Sequence, residues 1–127
     1  MARLILDTGA VLGFVRGDGR VAAAIRTAHE RGDEILVPAV VVAQTVRGGP
    51  RDASIRRLLR AVRVSFVGLR VARAAGALLA AARMSDAIDA LVMAEALRSG
   101  PSVLLTSDPD DMARLAGDRR SVRIVRV

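Results

Sequence analysis

Two spacings of apolar residues alternate along this chain. Leu4, Ile5 and Leu6 form a short apolar run that stops at an acid, Asp7. A small turn, Thr8-Gly9-Ala10, follows, and then a second apolar stretch over 11–15. A short apolar run bounded by turn residues reads as a strand buried in a parallel sheet, with Asp7 at its carboxyl end. Similar strands are predicted over 34–37, 102–106 and 122–127. A fifth covers 62–67, where Val62, Val64 and Phe66 alternate with Arg63 and Ser65. Between the strands the spacing becomes helical. Helices are predicted over 10–16, 39–47, 53–60, 69–82 and 86–99, with a last one opened by Asp108-Pro109 and running to about residue 116. One over 20–31 sets Val21, Ile25 and Ala28 on one face.

Breakers and caps fall between these segments. Gly32 takes the position after a helix where a left-handed residue is wanted. Pro38 suits a first helical turn, and Asp52 and Ser85 suit N-caps. Gly48-Gly49-Pro50 and Gly100-Pro101 stop the helices before them. Alternating strands and helices imply an α/β fold, a parallel sheet with helices on both faces. No linker or repeat divides the chain, so residues 1–127 read as a single domain.

Composition narrows the class. Of 127 residues 52% are hydrophobic, but only two are aromatic, both Phe, so the core must be Val, Leu, Ile and Ala. No apolar run nears the roughly 18 residues of a membrane span. Asp7 interrupts what could otherwise pass for a signal peptide. Without cysteine there is no disulfide framework and no thiolate zinc site. These features lead to the expectation of a cytoplasmic protein with no membrane partner.

Charge adds a function class. The net charge is +7 and every basic residue is Arg. Residues 47–83 hold nine arginines and one acid, Asp52, whereas 84–111 hold six acids and one arginine, Arg98. A basic segment that attracts phosphates beside an acidic one that holds cations is what a metal-dependent nuclease requires. Solvated helix faces are the plainer reading of the same charges.

The acids fall at telling places. Asp7 ends the first strand, and Asp108 follows the fourth. In an open α/β sheet that edge is where ligands bind. Asp86 and Asp89 are three residues apart at a helix start, so they share a face. Together these carboxylates can line one crevice, and a shared proton or a divalent cation would relieve their repulsion. Ligands that are all oxygen favour Mg²⁺ or Mn²⁺. Each acid also has a structural use. Asp86 could favour its helix dipole, and Asp108 could be an N-cap with Asp111 as its capping-box partner. Glu95 and Asp110 read as solvated. Asp7 is different, because an acid ending a buried strand needs a partner. His29 reads as a surface residue, and no serine–histidine arrangement supports a triad.

Four stretches in order, LILDTGAVLGFVRGD, VPAVVVAQTVRGG, SDAIDALVMAEAL and VLLTSDPDDMARLAG, resemble the motifs of PIN-domain ribonucleases, above all the VapC-type toxins of toxin–antitoxin pairs. The resemblance implies a three-layer α/β/α fold around a central five-stranded parallel sheet. It implies Mg²⁺- or Mn²⁺-dependent endoribonuclease activity that leaves 5′-phosphate and 3′-hydroxyl ends, and a small antitoxin protein as partner. Asp7, Asp89 and Asp108 match the family's acids and Thr106 the hydroxyl residue that steadies them. Asp86, one turn from Asp89, is a further metal ligand to consider. Gln44 stands where the family usually has a glutamate, so one negative charge is missing. That leaves a second reading, a PIN-like module that binds RNA or a protein without cutting. The arginines after Gln44, namely Arg47, Arg51, Arg56 and Arg57, are expected to carry RNA phosphates. The apolar composition is compatible with a homodimer or an antitoxin cover. Residues 5–10 also resemble the active-site string of retroviral aspartic proteases, but that fold is all-β and 69–82 and 86–99 are helical.

Overall fold

Arg3–Leu6 forms the central strand, β1, and all four of its residues are buried. In the computed structural model, which describes residues 2–98 and 100–127, β1 is flanked by β2 (Glu34–Pro38) and β4 (Ser102–Thr106). The edges are β3 (Arg63–Ser65) and β5 (Val122–Arg126). The order is β3-β2-β1-β4-β5 and every pairing is parallel. Seven helices connect the strands among the described residues: α1 (Thr8–Val15), α2 (Gly19–Glu30), α3 (Ala39–Thr45), α4 (Asp52–Ala61), α5 (Leu69–Ala82), α6 (Ala87–Leu97) and α7 (Pro109–Ala116). This is the expected α/β architecture, with helices on both sides of a five-stranded sheet. None of the described helices is long and apolar enough to cross a membrane.

Laterally paired residues share a face of the sheet, so the register sorts the strands. Leu4, Val103, Leu105 and Val125 face α2, which packs on β1 and β2. Arg3, Ile5, Leu36, Leu104 and Thr106 face the other way, where α6 packs on β4 and against α5 and α7. Apart from Leu91, every residue of α6 from Asp89 to Ala96 is buried, which is why its apolar residues surround the helix. Ile5, Leu36, Met93, Leu104 and Met112 are fully buried at this junction. No aromatic residue belongs to the buried core, as the composition required.

Glu95, expected to be solvated, lies inside this layer. Arg3 Nη2 donates to its Oε1 at 3.0 Å, and Arg98 bonds it from the helix end. Arg3 also meets Glu34 at 3.2 Å, and Glu34 meets Arg63 at 2.9 Å. The amino edge of the sheet is thus tied by an ion network. Because Arg3 also meets Glu34 and Glu95 also meets Arg98, loss of either member of the buried pair leaves the other with a partner, at a cost below the roughly 3–5 kcal/mol of a stranded buried charge.

Several boundaries differ from the sequence reading, each for a local reason. Thr8-Gly9-Ala10 is the first turn of α1 rather than a separate turn. Asp7 caps it by accepting the Thr8 N–H at 2.7 Å, and its carbonyl accepts from Ala10 and Val11. Pro38 ends β2 and is the N-cap of α3, not a residue of its first turn, and α3 stops at Thr45. Asp52 is not the cap of α4. Arg51 holds that position, and the Asp52 carboxylate turns back to accept the N–H groups of Arg47 and Gly48 at 3.2 and 2.7 Å. Asp86, not Ser85, caps α6. The expected end of that helix at Ser99 lies outside the described residues.

The third strand is the largest departure. Only three of its residues pair, and Ser65 is buried while Val64 is 41% and Phe66 86% exposed. Val64 shares the face of Val37, but α2 covers β1 and β2 and β3 is the outermost strand. The α5 and α6 side covers Ser65 instead.

Candidate active site

Asp7 is one residue beyond the Leu6–Leu105 pair, so it stands beside Thr106 on the α6 side of the sheet. Thr106 Oγ1 donates to Asp7 Oδ2 at 2.8 Å. Thr106 Oγ1 in turn accepts the N–H of Asp108 at 3.0 Å. One buried hydroxyl therefore fixes the first acid and the backbone of the third. The other Asp7 oxygen is held by the Thr8 N–H. Gly9 makes this approach possible. A Cβ there would lie 2.6 Å from the Ser107 Cβ, a distance no side chain tolerates.

The helix that packs on this face starts beside the same edge and brings two more acids. Asp86 Oδ1 accepts the Asp89 N–H at 3.0 Å, so the first acid pins the second. Asp86 thus does have the structural use foreseen for it, and its other oxygen remains available. Asp108 is an N-cap by position only. It makes no side-chain cap bond, so the capping box with Asp111 is not formed. Gln44 reaches the site from α3, where its Oε1 accepts the Thr8 hydroxyl.

The electrostatics show how closely these groups interact. Burial first, and then the charges of Asp7, Asp86, Asp108 and Asp111, push the Asp89 carboxyl up from 3.8 to about 7. Burial also raises Asp7, against the pull of its Thr106 and Thr8 bonds, and Asp108 and Asp86 add to the rise. Asp111 belongs to this group although its spacing suggested a cap. Arg126 was missed too. Its register opposite Thr106 puts it in a small hollow of about 230 Å³ with Ser107, Asp108, Asp110 and Asp111. Only the pairing of two strands 20 residues apart reveals that neighbour.

A carboxyl raised by its surroundings favours the fold while it carries a proton. Asp89 therefore gives its full contribution below pH about 4, and this is lost as the pH rises through about 7. In the presence of chelator, the melting temperature of Asp89→Asn should match wild type near pH 4. It should exceed wild type increasingly up to pH 7, and stay above it by a constant margin beyond. A difference that does not change with pH would remove the coupling.

The donors gathered here are all oxygen, a set that suits a hard cation. Mutual repulsion that raises two of the acids is what a positive charge would relieve. Among the described residues, no three carboxylates or histidines are drawn together as a ready ligand cluster. Of the arginines expected to meet RNA, Arg47 donates to the carbonyls of Ala43 and Val46, and Arg51 to that of Thr45. They close the carboxyl end of α3. Arg56 and Arg57 are exposed on α4.

Comparison with known proteins agrees with this geometry. The family model of the PIN domain matches residues 4–118. VapBC2 from Rickettsia felis, solved bound to a DNA fragment from its promoter, is similar with a TM-score of 0.72 at 11% identity, over 98% of both chains. A toxin–antitoxin complex from Klebsiella pneumoniae is similar with a TM-score of 0.70 at 14% identity, over 94% of both chains. At such identities the likeness is one of fold. Against curated proteins the chain has no significant match.

Proposed function

The chain belongs to the PIN domain family, and from that premise we propose that it is a metal-dependent endoribonuclease, the toxin of a toxin–antitoxin pair, working in the cytoplasm. The observation that carries the reading is Asp7. It is a buried acid at the carboxyl edge of the sheet, oriented by Thr106 and raised by burial and by neighbouring carboxylates.

Asp7, Asp89 and Asp108 would hold Mg²⁺ or Mn²⁺, with Asp86 and Gln44 at the margin. When bound, such a cation would supply an activated water and offset charge developing on the phosphate. The protein supplies position. Thr106 keeps the Asp7 carboxylate from turning and ties the loop of Asp108 to it. Thr8 and Gln44 fix each other beside the entrance. Arg126 shares a hollow with Asp108 and would offer a cation to a substrate phosphate there.

The test is an end-labelled RNA incubated with pure protein in Mn²⁺ or in chelator. Cleavage in Mn²⁺ alone, leaving 5′-phosphate ends, supports the reading; no cleavage in either sinks it. Arg56 and Arg57 would guide the strand through its phosphates, without reading sequence. The variant Arg56→Glu/Arg57→Glu should weaken binding and flatten the plot of log affinity against log salt by about 1.4, since each single-strand contact adds roughly 0.7. An unchanged slope would take α4 out of the footprint.

An antitoxin partner is supported by the two toxin–antitoxin structures of like fold. A short protein should co-purify with the chain and block cleavage. Light scattering of the free chain would test the homodimer.

A further inference from the structure

A second pocket, of about 290 Å³, opens where β3, the first turn of α5 and the end of α6 meet. The helix α6 has 11 residues, so this pocket lies about 16 Å along it from the acids. Ser65 forms its buried wall. This residue is 3% exposed, and its Oγ has no hydrogen-bond partner among the described residues. A hydroxyl buried without a partner destabilises a fold and is uncommon.

The same pocket contains the start of α5. Gly68 is the N-cap and no side chain accepts from the first turn. The N–H groups of Leu69, Arg70 and Val71 therefore have no intrahelical acceptor, and 14 aligned peptide units place partial positive charge there. Arg63, Arg70 and Arg98 line the pocket and no acid does. Arg63 and Arg98 are tied to Glu34 and Glu95, whereas Arg70 has no ion-pair partner among the described residues. Phe66 completes the rim. It is 86% exposed, and its ring lies against Gly68, where a Cβ would meet ring carbons at 3.7 and 3.9 Å.

We propose that this pocket binds one nucleotide of an RNA strand, with the phosphate on Ser65 Oγ, Arg70 and the first-turn N–H groups of α5 and the base stacked on Phe66. Helix starts and arginines are common phosphate partners, and exposed aromatic rings are the usual platform for unpaired bases. That the nucleotide belongs to RNA rests on the ribonuclease reading; the phosphate site does not. The pocket would grip the strand away from the acids. An acidic peptide could use the basic half, but it would leave the exposed ring without a role.

The test is a titration of the full ¹⁵N-labelled chain with inorganic phosphate, adenosine 5′-monophosphate and adenosine. Phosphate and the nucleotide should both shift the amides of Leu69, Arg70 and Val71, with the nucleotide binding at least about tenfold more tightly. Adenosine should act only around Phe66. Ser65→Ala and Arg70→Gln should each weaken the nucleotide about tenfold, and Ser65→Ala should melt no earlier than wild type. Phe66→Ser should lower nucleotide affinity to that of phosphate. Silent amides at 69–71, or a Ser65→Ala protein that binds as wild type does, would overturn the site. Equal affinity for phosphate and nucleotide would overturn the nucleotide and leave an anion or acidic peptide as occupant. Cleavage in Mn²⁺ separates the two claims. If RNA is cut while this pocket stays silent, only this inference fails. If the nucleotide binds here and no RNA is cut, the ribonuclease reading fails and the assignment of the nucleotide to RNA with it, while the nucleotide site stands.

Discussion

Asp7→Asn is expected to lower single-turnover RNA cleavage by more than about 100-fold at saturating Mn²⁺, while leaving the protein folded. Asparagine has nearly the size of aspartate, and its carbonyl oxygen can still accept one of the two bonds from Thr8 and Thr106. What disappears is the charge. Partners that merely orient a metal ligand cost 10–100-fold when removed, and loss of a charge held directly on the cation should exceed that. Asp7 is buried and its carboxyl is already raised, so the ionised form is disfavoured by its surroundings. A neutral replacement should therefore melt no earlier than wild type above neutral pH. A cleavage time course and a melting curve on the same preparation separate chemistry from folding. Undiminished cleavage would remove Asp7 from the active site and the mechanism with it.

The second large effect should come from Gln44→Glu. The Gln44 side chain accepts the Thr8 hydroxyl, and Thr8 in turn binds Asp7 through its N–H. Glutamate keeps the acceptor and restores the missing negative charge. At an effective dielectric of about 20, a charge added at 4 Å contributes up to roughly 4 kcal/mol before desolvation and repulsion from the other acids offset it. A net gain of about 1.4 kcal/mol corresponds to tenfold tighter Mn²⁺ binding. Calorimetric titration should show that gain, and cleavage at limiting Mn²⁺ should accelerate by a similar factor. If neither protein binds Mn²⁺ or cuts RNA, the chain is a PIN-like module that binds without cleaving. If wild type is fully active and the variant no better, Gln44 serves only to hold Thr8.

Much of this arrangement was legible along the chain because it depends on short-range pattern. β4 and α5 have the bounds their spacing implied, and Gly32 stands where α2 ends. The carboxyl-edge acids were legible for the same reason, since a buried strand that stops at a charge declares which end is open. What escaped was set by neighbours far away in sequence. The side on which Ser65 is buried depends on where α5 and α6 lie, not on the alternation of Val62, Val64 and Phe66. Glu95 looked solvated until Arg3 met it from 92 residues away. Asp111 and Arg126 join the acidic cluster only when α7 and β5 fold against the end of β4. Asp52 shows the limit of cap rules. The right residue type stands one position inside the helix, and its carboxylate serves the preceding loop.

The bond between Asp7 and Thr106 joins residues 99 positions apart, and this has a consequence for how the protein comes into being. The first acid is made 99 residues before the hydroxyl that orients it. At roughly 5–20 residues per second, about 5–20 s separate the two on the ribosome. The central strand has to wait for β4 over the same interval, because the two pair directly. Closure over such a separation is intrinsically slow. A growing chain thus carries no assembled cluster of acids until β4 has been made. The acidic edge of the sheet is therefore complete only after β4 has been made and paired.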